Sequence, residues 1–222
     1  MPLLRHCSYL EASANLQFAG YDQSLCLCHT LLAMIDADVS PASRPLQFAT
    51  TVTLEKQLAD ALKNHDGLLG AHCIHEYWMR SEMAANIEAM LTKLWEHAAD
   101  SIPEWLPMQH ISWLPLVYDV ASRFQKVAGG RSHIYLILLD YSDSRPEPHG
   151  IYVGMSKYPA AVRFDQHKAG VRSAGSVLKR GLEVLTGPVL HLQYIKRSEA
   201  AQIEEQLAEA LRAEGLFVQG GH

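Results

Sequence analysis

Residues 133–140 read HIYLILLD, with six apolar side chains in succession between His133 and Asp140. A run with no polar alternation is what a strand covered on both faces requires. The segments after it supply the cover. YSDSRPEP (141–148) is polar with two prolines and reads as a loop, longer than the commonest hairpin connections. HGIYVGM (149–155) reads as a second strand. Pro159 suits the first turn of a helix, and Gly170 suits the position just past its end. AGSVLKRGLEVL (174–185) suggests a further short helix, and PVLHLQYI (188–195) a third strand. SEAAQIEEQLAEALRAEG (198–215) reads as a long helix capped by Ser198 and stopped by Gly215. The expectation for residues 131–222 is an α+β domain with a three-stranded antiparallel sheet flanked by helices.

Upstream the period changes. TVTLEKQLADALKNHDG places Leu54, Leu58 and Leu62 four residues apart, and SEMAANIEAMLTKLWEHAAD puts Met83, Ile87, Met90, Leu91, Leu94 and Trp95 on one face behind a Ser81 cap. PLVYDVASRFQKVAGG reads as a helix ended by Gly129-Gly130, the candidate boundary between a mostly helical region, 1–130, and the α+β domain. Residues 36–49 look like a loop or an edge segment. No apolar run approaches the length of a membrane span. The first twenty residues lack a basic start followed by an apolar stretch. A cytoplasmic protein with reduced thiols is therefore expected.

The net charge of −5 argues against a protein that coats nucleic acid with its whole surface, but the charge is uneven. Residues 1–130 carry 8 Lys/Arg against 14 Asp/Glu, whereas residues 131–222 carry 11 against 10. Between 157 and 180, Lys157, Arg163, Lys168, Arg172, Lys179 and Arg180 face a single acid, Asp165. Such a cluster is either a solvated helix face or a phosphate-binding patch.

Within that cluster Arg163 and His167 stand four residues apart on the helix after Pro159, so they share a face. A guanidinium matches phosphate oxygens, and an imidazole moves protons near neutral pH. On the last helix Ala200, Ile203, Leu207 and Leu211 define the buried stripe, with Glu204 on its flank. A carboxylate at the edge of a core can face a cleft and hold a hard cation.

These segments resemble the GIY-YIG endonuclease domain over the last ninety or so residues. The literal Gly-Ile-Tyr at 150–152 is not the first motif; that is matched by HIY (133–135), and the second motif by YVG (152–154). The helix with arginine and then histidine follows, and RSEAAQIEEQ supplies the later glutamate. His133 stands where the family usually has glycine. The resemblance implies a metal-dependent DNA endonuclease in which Tyr135 and Tyr152 line the site and Arg163 stabilises phosphate charge. His167 would shuttle a proton or hold a tyrosine hydroxyl, and Glu204 would carry a single Mg²⁺ or Mn²⁺. Lys157, Lys168, Arg172, Lys179 and Arg180 would grip the DNA backbone. The rival expectation is an inactive module of the same fold that binds nucleic acid or a protein.

Residues 1–130 also contain Cys26, Cys28 and His29, and then His72, Cys73 and His75. These are ligand types that zinc favours, though at no standard spacing; the alternative is thiols packed in a helical core. The acidic region is expected to restrict the site, form a homodimer or bind a protein partner.

Overall fold

The computed structural model describes residues 40–221, and they fall within one compact unit. The architecture is α+β, with seven α-helices and one four-stranded mixed sheet among the described residues. None of these helices is long and apolar enough to cross a membrane.

Helix α1 (Thr51–Asn64) is capped by the Thr50 hydroxyl, which accepts the Thr53 N–H, and it ends at His65 with φ +57°. It buries Leu54, Gln57 and Ala61. Leu58 and Leu62 of the expected four-residue stripe are only half-buried. Helix α2 (Gly67–Met79) starts from the Asp66 cap and is buried almost throughout. Its Glu76 carboxylate, 1% exposed, accepts from Arg44 and Arg80.

Helix α3 (Ala84–Ala98) turns Ile87, Leu91, Leu94 and Ala98 inward. Met83 and Trp95, expected on that face, are exposed. Ser81 is not the cap: it sits at φ +61° and closes the turn after α2 through its N–H to the Trp78 carbonyl. Helix α4 (Leu114–Ser122) stops well before Gly129-Gly130, because those glycines open the first strand.

Strand β1 (Gly129–Asp140) pairs antiparallel with β2 (His149–Ser156), with His133 opposite Ser156, Tyr135 opposite Gly154 and Ile137 opposite Tyr152. Helix α5 (Ala160–Lys168) follows Pro159, and Gly170 adopts φ +77° just past its end. Helix α6 (Gly175–Arg180) runs into β3 (Gly181–Val184), which pairs with β1 over Ile137–Leu139. Helix α7 (Arg197–Ala213) is followed by Gly215 at φ +88° and β4 (Val218–Gly220), which lies parallel to β2. Strand order is β3-β1-β2-β4.

The three-stranded antiparallel expectation therefore needs correction in two places. The strand expected at 188–195 is a 3₁₀ turn (Gly187–Val189) with irregular bonding beyond it. There the Gln193 amide donates to the Ile134 and Val189 carbonyls, so a side chain replaces part of a ladder. The third antiparallel strand is Gly181–Val184, which sequence reasoning had placed in a helix. The fourth strand has only three residues, too few for alternation to show. Ser198 is not a cap either: Lys196 occupies that position and contributes no side-chain bond.

Side chains alternate along β1. Tyr135, Ile137 and Leu139 join Val177, Phe164 and Ala160 in a core beneath α5 and α6. Ile134, Leu136 and Leu138 are wholly buried on the opposite face, where α7 packs against β1 and β2. The apolar run is thus covered on both sides.

Candidate active site at the open end of the β1–β2 pair

Strand β4 covers β2 only from Ile151 to Val153. From Gly154 onward the outer edge of β2 has no strand partner among the described residues. Tyr135 lies opposite the start of this uncovered end.

Tyr135, 2% exposed, reaches from β1 toward α5. His167, 1% exposed, meets it from the last turn of that helix. Nδ1 of His167 accepts the Ala174 N–H at 3.0 Å. The neutral ring therefore carries its proton on Nε2, which donates to the Tyr135 hydroxyl at 3.1 Å. Tyr152 completes the group, its ring centroid 6.0 Å from that of Tyr135 and 5.8 Å from that of His167.

Gly154 lies opposite Tyr135 and makes this packing possible. A Cβ there would stand 2.5 Å from Cζ and Oη of Tyr135 and 2.7 Å from Cε1 of Tyr152.

Burial dominates the electrostatics of the cluster. It holds His167 near 4, with the Arg163 charge adding to the effect. It also raises the tyrosine hydroxyls; for Tyr135 the neighbouring Tyr152 adds to the rise and Arg163 opposes it. Arg163 is half-buried and donates to Gln166 Oε1 at 3.2 Å, to the Val171 carbonyl at 3.2 Å and to the Arg172 carbonyl at 2.7 Å. Those bonds fix the guanidinium and the turn after α5 together.

Glu204 approaches from α7, 9% exposed. Burial lifts its carboxyl to about 7, partly offset by a hydrogen bond from the Met155 backbone. It makes no ion pair among the described residues. A buried carboxylate with one backbone donor and no cationic side chain is suited to a hard cation that keeps several waters. No group of three or more His, Cys, Asp or Glu side chains is arranged for a metal among the described residues, so a cation held by Glu204 would have at most one further side-chain ligand of these types.

Beside this cluster opens a cleft of about 390 Å³ lined by Ser132, Lys157, Arg163, Gln166, Arg172 and Arg197, together with Met155, Ser156 and Tyr158. Four lining side chains are cationic and none is acidic. Of the five basic residues expected to grip DNA, Lys157 and Arg172 line this cleft. The Lys168 ammonium instead donates to the Gly181 carbonyl at 3.1 Å. Arg180 bonds the Asp140 carbonyl and the Asp143 carboxylate and lies over the Tyr141 ring. Lys179 is exposed on α6 and lies outside the cleft lining.

Arg197 and Ser132 are cleft residues that sequence reasoning passed over. Arg197 stood in the segment that supplied Glu204, but at the start of a helix it has no periodic signal. A lone serine at the head of a strand has none either.

His133 occupies the position at which a glycine was expected. Its Nδ1 lies 2.9 Å from Gln193 Oε1 and its ring packs edge-on against Tyr194, so it braces the segment before α7.

The second candidate metal set divides. Cys26, Cys28 and His29 lie outside the described residues. His72, Cys73 and His75 sit on α2, buried in the core. Burial pushes Cys73 up to about 12 and His72 and His75 down to about 4 and about 3. The two imidazoles pack against Trp105, and His75 also against Tyr118.

Compared with models of protein families, with curated proteins and with solved structures, the chain gives no match.

Proposed function

We propose that the chain is a metal-dependent endonuclease of the GIY-YIG type that hydrolyses DNA phosphodiester bonds, with its site at the open end of the β1–β2 pair. The observation that carries this reading is the packing of Tyr135, Tyr152 and His167 on one another, with Glu204 near Tyr152 and the Met155 backbone, beside a cleft lined by Arg163 and three further cations. Phosphoryl transfer needs positioning and charge stabilisation more than covalent chemistry, and those residue types supply both.

Arg163 faces the phosphate oxygens with a guanidinium already oriented by the 171–172 carbonyls. Tyr135 is the group nearest to proton transfer. Its hydroxyl accepts the Nε2–H of His167, so its own proton is free for another acceptor, and the same bond stabilises a tyrosinate. His167 in this tautomer holds the tyrosine rather than acting as a base. Tyr152 packs its ring against both Tyr135 and His167. Glu204 would hold Mg²⁺ or Mn²⁺, which when bound supplies charge neutralisation at the phosphate. Lys157 and Arg172 would position the backbone. DNA is the proposed partner and the cytoplasm the proposed location. Residues 131–222 would be the nuclease module, with the acidic helical region before it restricting access or binding a partner.

The alternative, an inactive module that binds nucleic acid or a protein, is favoured by one detail. Three donor contacts of Arg163 are already spent within the protein. Cleavage of supercoiled plasmid and of a labelled branched DNA in Mg²⁺ or Mn²⁺, wild type against Glu204→Ala, separates the two. Metal-dependent cutting that disappears in the variant supports the nuclease. Folded wild-type protein that binds both substrates and cuts neither supports the binding module.

A further inference from the structure

Two residues of the cleft lining have no role in the reaction described above. They are Arg197, the first residue of α7, and Ser132 on β1. Ser132 is 7% exposed, and its hydroxyl has no hydrogen-bond partner among the described residues although it lines the cleft. A hydroxyl that lines the cleft can donate to an acceptor bound there. Arg197 forms no ion pair or hydrogen bond among the described residues and is exposed.

The start of α7 is open as well. Lys196 at the cap position offers no side-chain acceptor, and the first internal bond is the Ala200 N–H to the Lys196 carbonyl. The amides of the first turn therefore have no partner within the helix, and the positive end of a seventeen-residue helix adds to the Arg197 charge. The one acid of that turn, Glu199, is occupied: it accepts the Val127 and Ala128 amides.

A cleft of about 390 Å³ belongs to the size range of ligand pockets, not of single-ion sites. Its lining combines Arg163, of the proposed reaction centre, with Arg197 of α7. We propose that Arg197 and Ser132 hold the phosphate next to the scissile one, so that the cleft engages a DNA strand through two consecutive phosphates. This rests on reading the cleft as a phosphodiester site. It makes the enzyme select a polynucleotide over an isolated diester, because Arg197 and Ser132 have nothing to hold in the smaller substrate.

The test measures binding of a short DNA duplex over a NaCl series without divalent metal. It also measures cleavage of that duplex and of bis(p-nitrophenyl) phosphate, which has one diester and no neighbouring phosphate. Arg197→Ala is expected to weaken duplex binding about tenfold and to reduce the slope of log K against log[NaCl] by about one, the signature of one lost phosphate contact. Its preference for duplex over the small diester, as a ratio of kcat/KM, should fall about tenfold through KM. Arg197→Lys should keep the slope, which separates charge from folding. Ser132→Ala should lose about threefold in affinity with the slope intact, since it removes a neutral donor.

An unchanged slope in Arg197→Ala overturns the second seat, and so does an equal loss on both substrates. Wild-type protein that cuts neither substrate but loses one unit of slope in Arg197→Ala overturns the nuclease reading and leaves the second seat standing.

Discussion

His167 gives its Nε2–H to the Tyr135 hydroxyl at 3.1 Å because its Nδ1 already accepts the Ala174 N–H at 3.0 Å. Both side chains are buried, so the bond has no water to replace it. Tyr135→Phe removes the acceptor and leaves a buried imidazole N–H without a partner, which costs about 1–3 kcal/mol. Tyr152 is only half-buried, so Tyr152→Phe should cost less. Urea unfolding of the two variants checks the order. Equal costs would mean that the Tyr135–His167 bond does not hold the site. DNA cleavage should fall at least a hundredfold in Tyr135→Phe, about the usual contribution of a positioned proton-transfer group.

Gly154→Ala tests the same cluster from the opposite strand. The added methyl would meet Tyr135 at 2.5 Å and Tyr152 at 2.7 Å, so one or both rings must move. Overpacking of this kind costs about 1–3 kcal/mol. The expected outcome is a folded protein with unchanged far-ultraviolet circular dichroism, altered tyrosine fluorescence and at least tenfold slower cleavage. Full activity would place the reacting groups away from the tyrosine pair.

Much of this arrangement was legible in the residues. Arg163 and His167 at a four-residue spacing behind Pro159 had to share a helix face, and the alternation in β1 had to put Tyr135 with Ile137 and Leu139. The apolar stripe of α7 placed Glu204 at the margin of the core. The cation cluster of 157–180 was misleading, because nearness in sequence is not nearness in space across two short helices and two turns. Lys168 and Arg180 turn to backbone carbonyls away from the cleft, whereas Arg197, outside the cluster, turns into it. The three-residue length of β4 leaves the end of β2 without a strand partner. A strand that short carries no period, and side-chain bonds such as those of Gln193 are invisible to patterns of apolar residues.

Glu204 makes metal affinity and stability respond to pH in opposite senses. Its carboxyl titrates near 7 in the folded protein, above the ordinary 4.5, because burial favours the neutral form. A raised carboxylate contributes stability that is complete below the unfolded value and is lost as pH rises through the folded one. Without divalent metal, wild-type protein should therefore lose on the order of 3 kcal/mol from this group between about pH 4.5 and pH 7. Glu204→Gln should show no such loss and unfold at higher urea at about pH 8. Metal binding requires the ionised form, so apparent Mg²⁺ affinity should fall up to tenfold per pH unit below about 7. Isothermal titration at two pH values checks this. Affinity independent of pH would remove Glu204 from the metal.

The helical core should be acid-sensitive for a separate reason. His72 is 1% exposed, and neither ring nitrogen has a partner among the described residues. Burial, opposed by the Asp66 charge, puts its folded value at about 4 against 6.5 when solvated. A depressed histidine contributes stability that is complete above about pH 6.5 and is lost as pH falls through about 4. The loss attributable to His72 is on the order of 3 kcal/mol across that window. His72→Phe keeps a ring against Trp105, 4.9 Å away by centroid, and removes the titration. The variant should match wild type at about pH 7.5 within about 1.5 kcal/mol, the tolerance for near-isosteric core changes. It should then retain more stability than wild type at about pH 4.5. Urea midpoints at the two pH values decide it, and parallel losses in both proteins would assign the acid sensitivity to other groups.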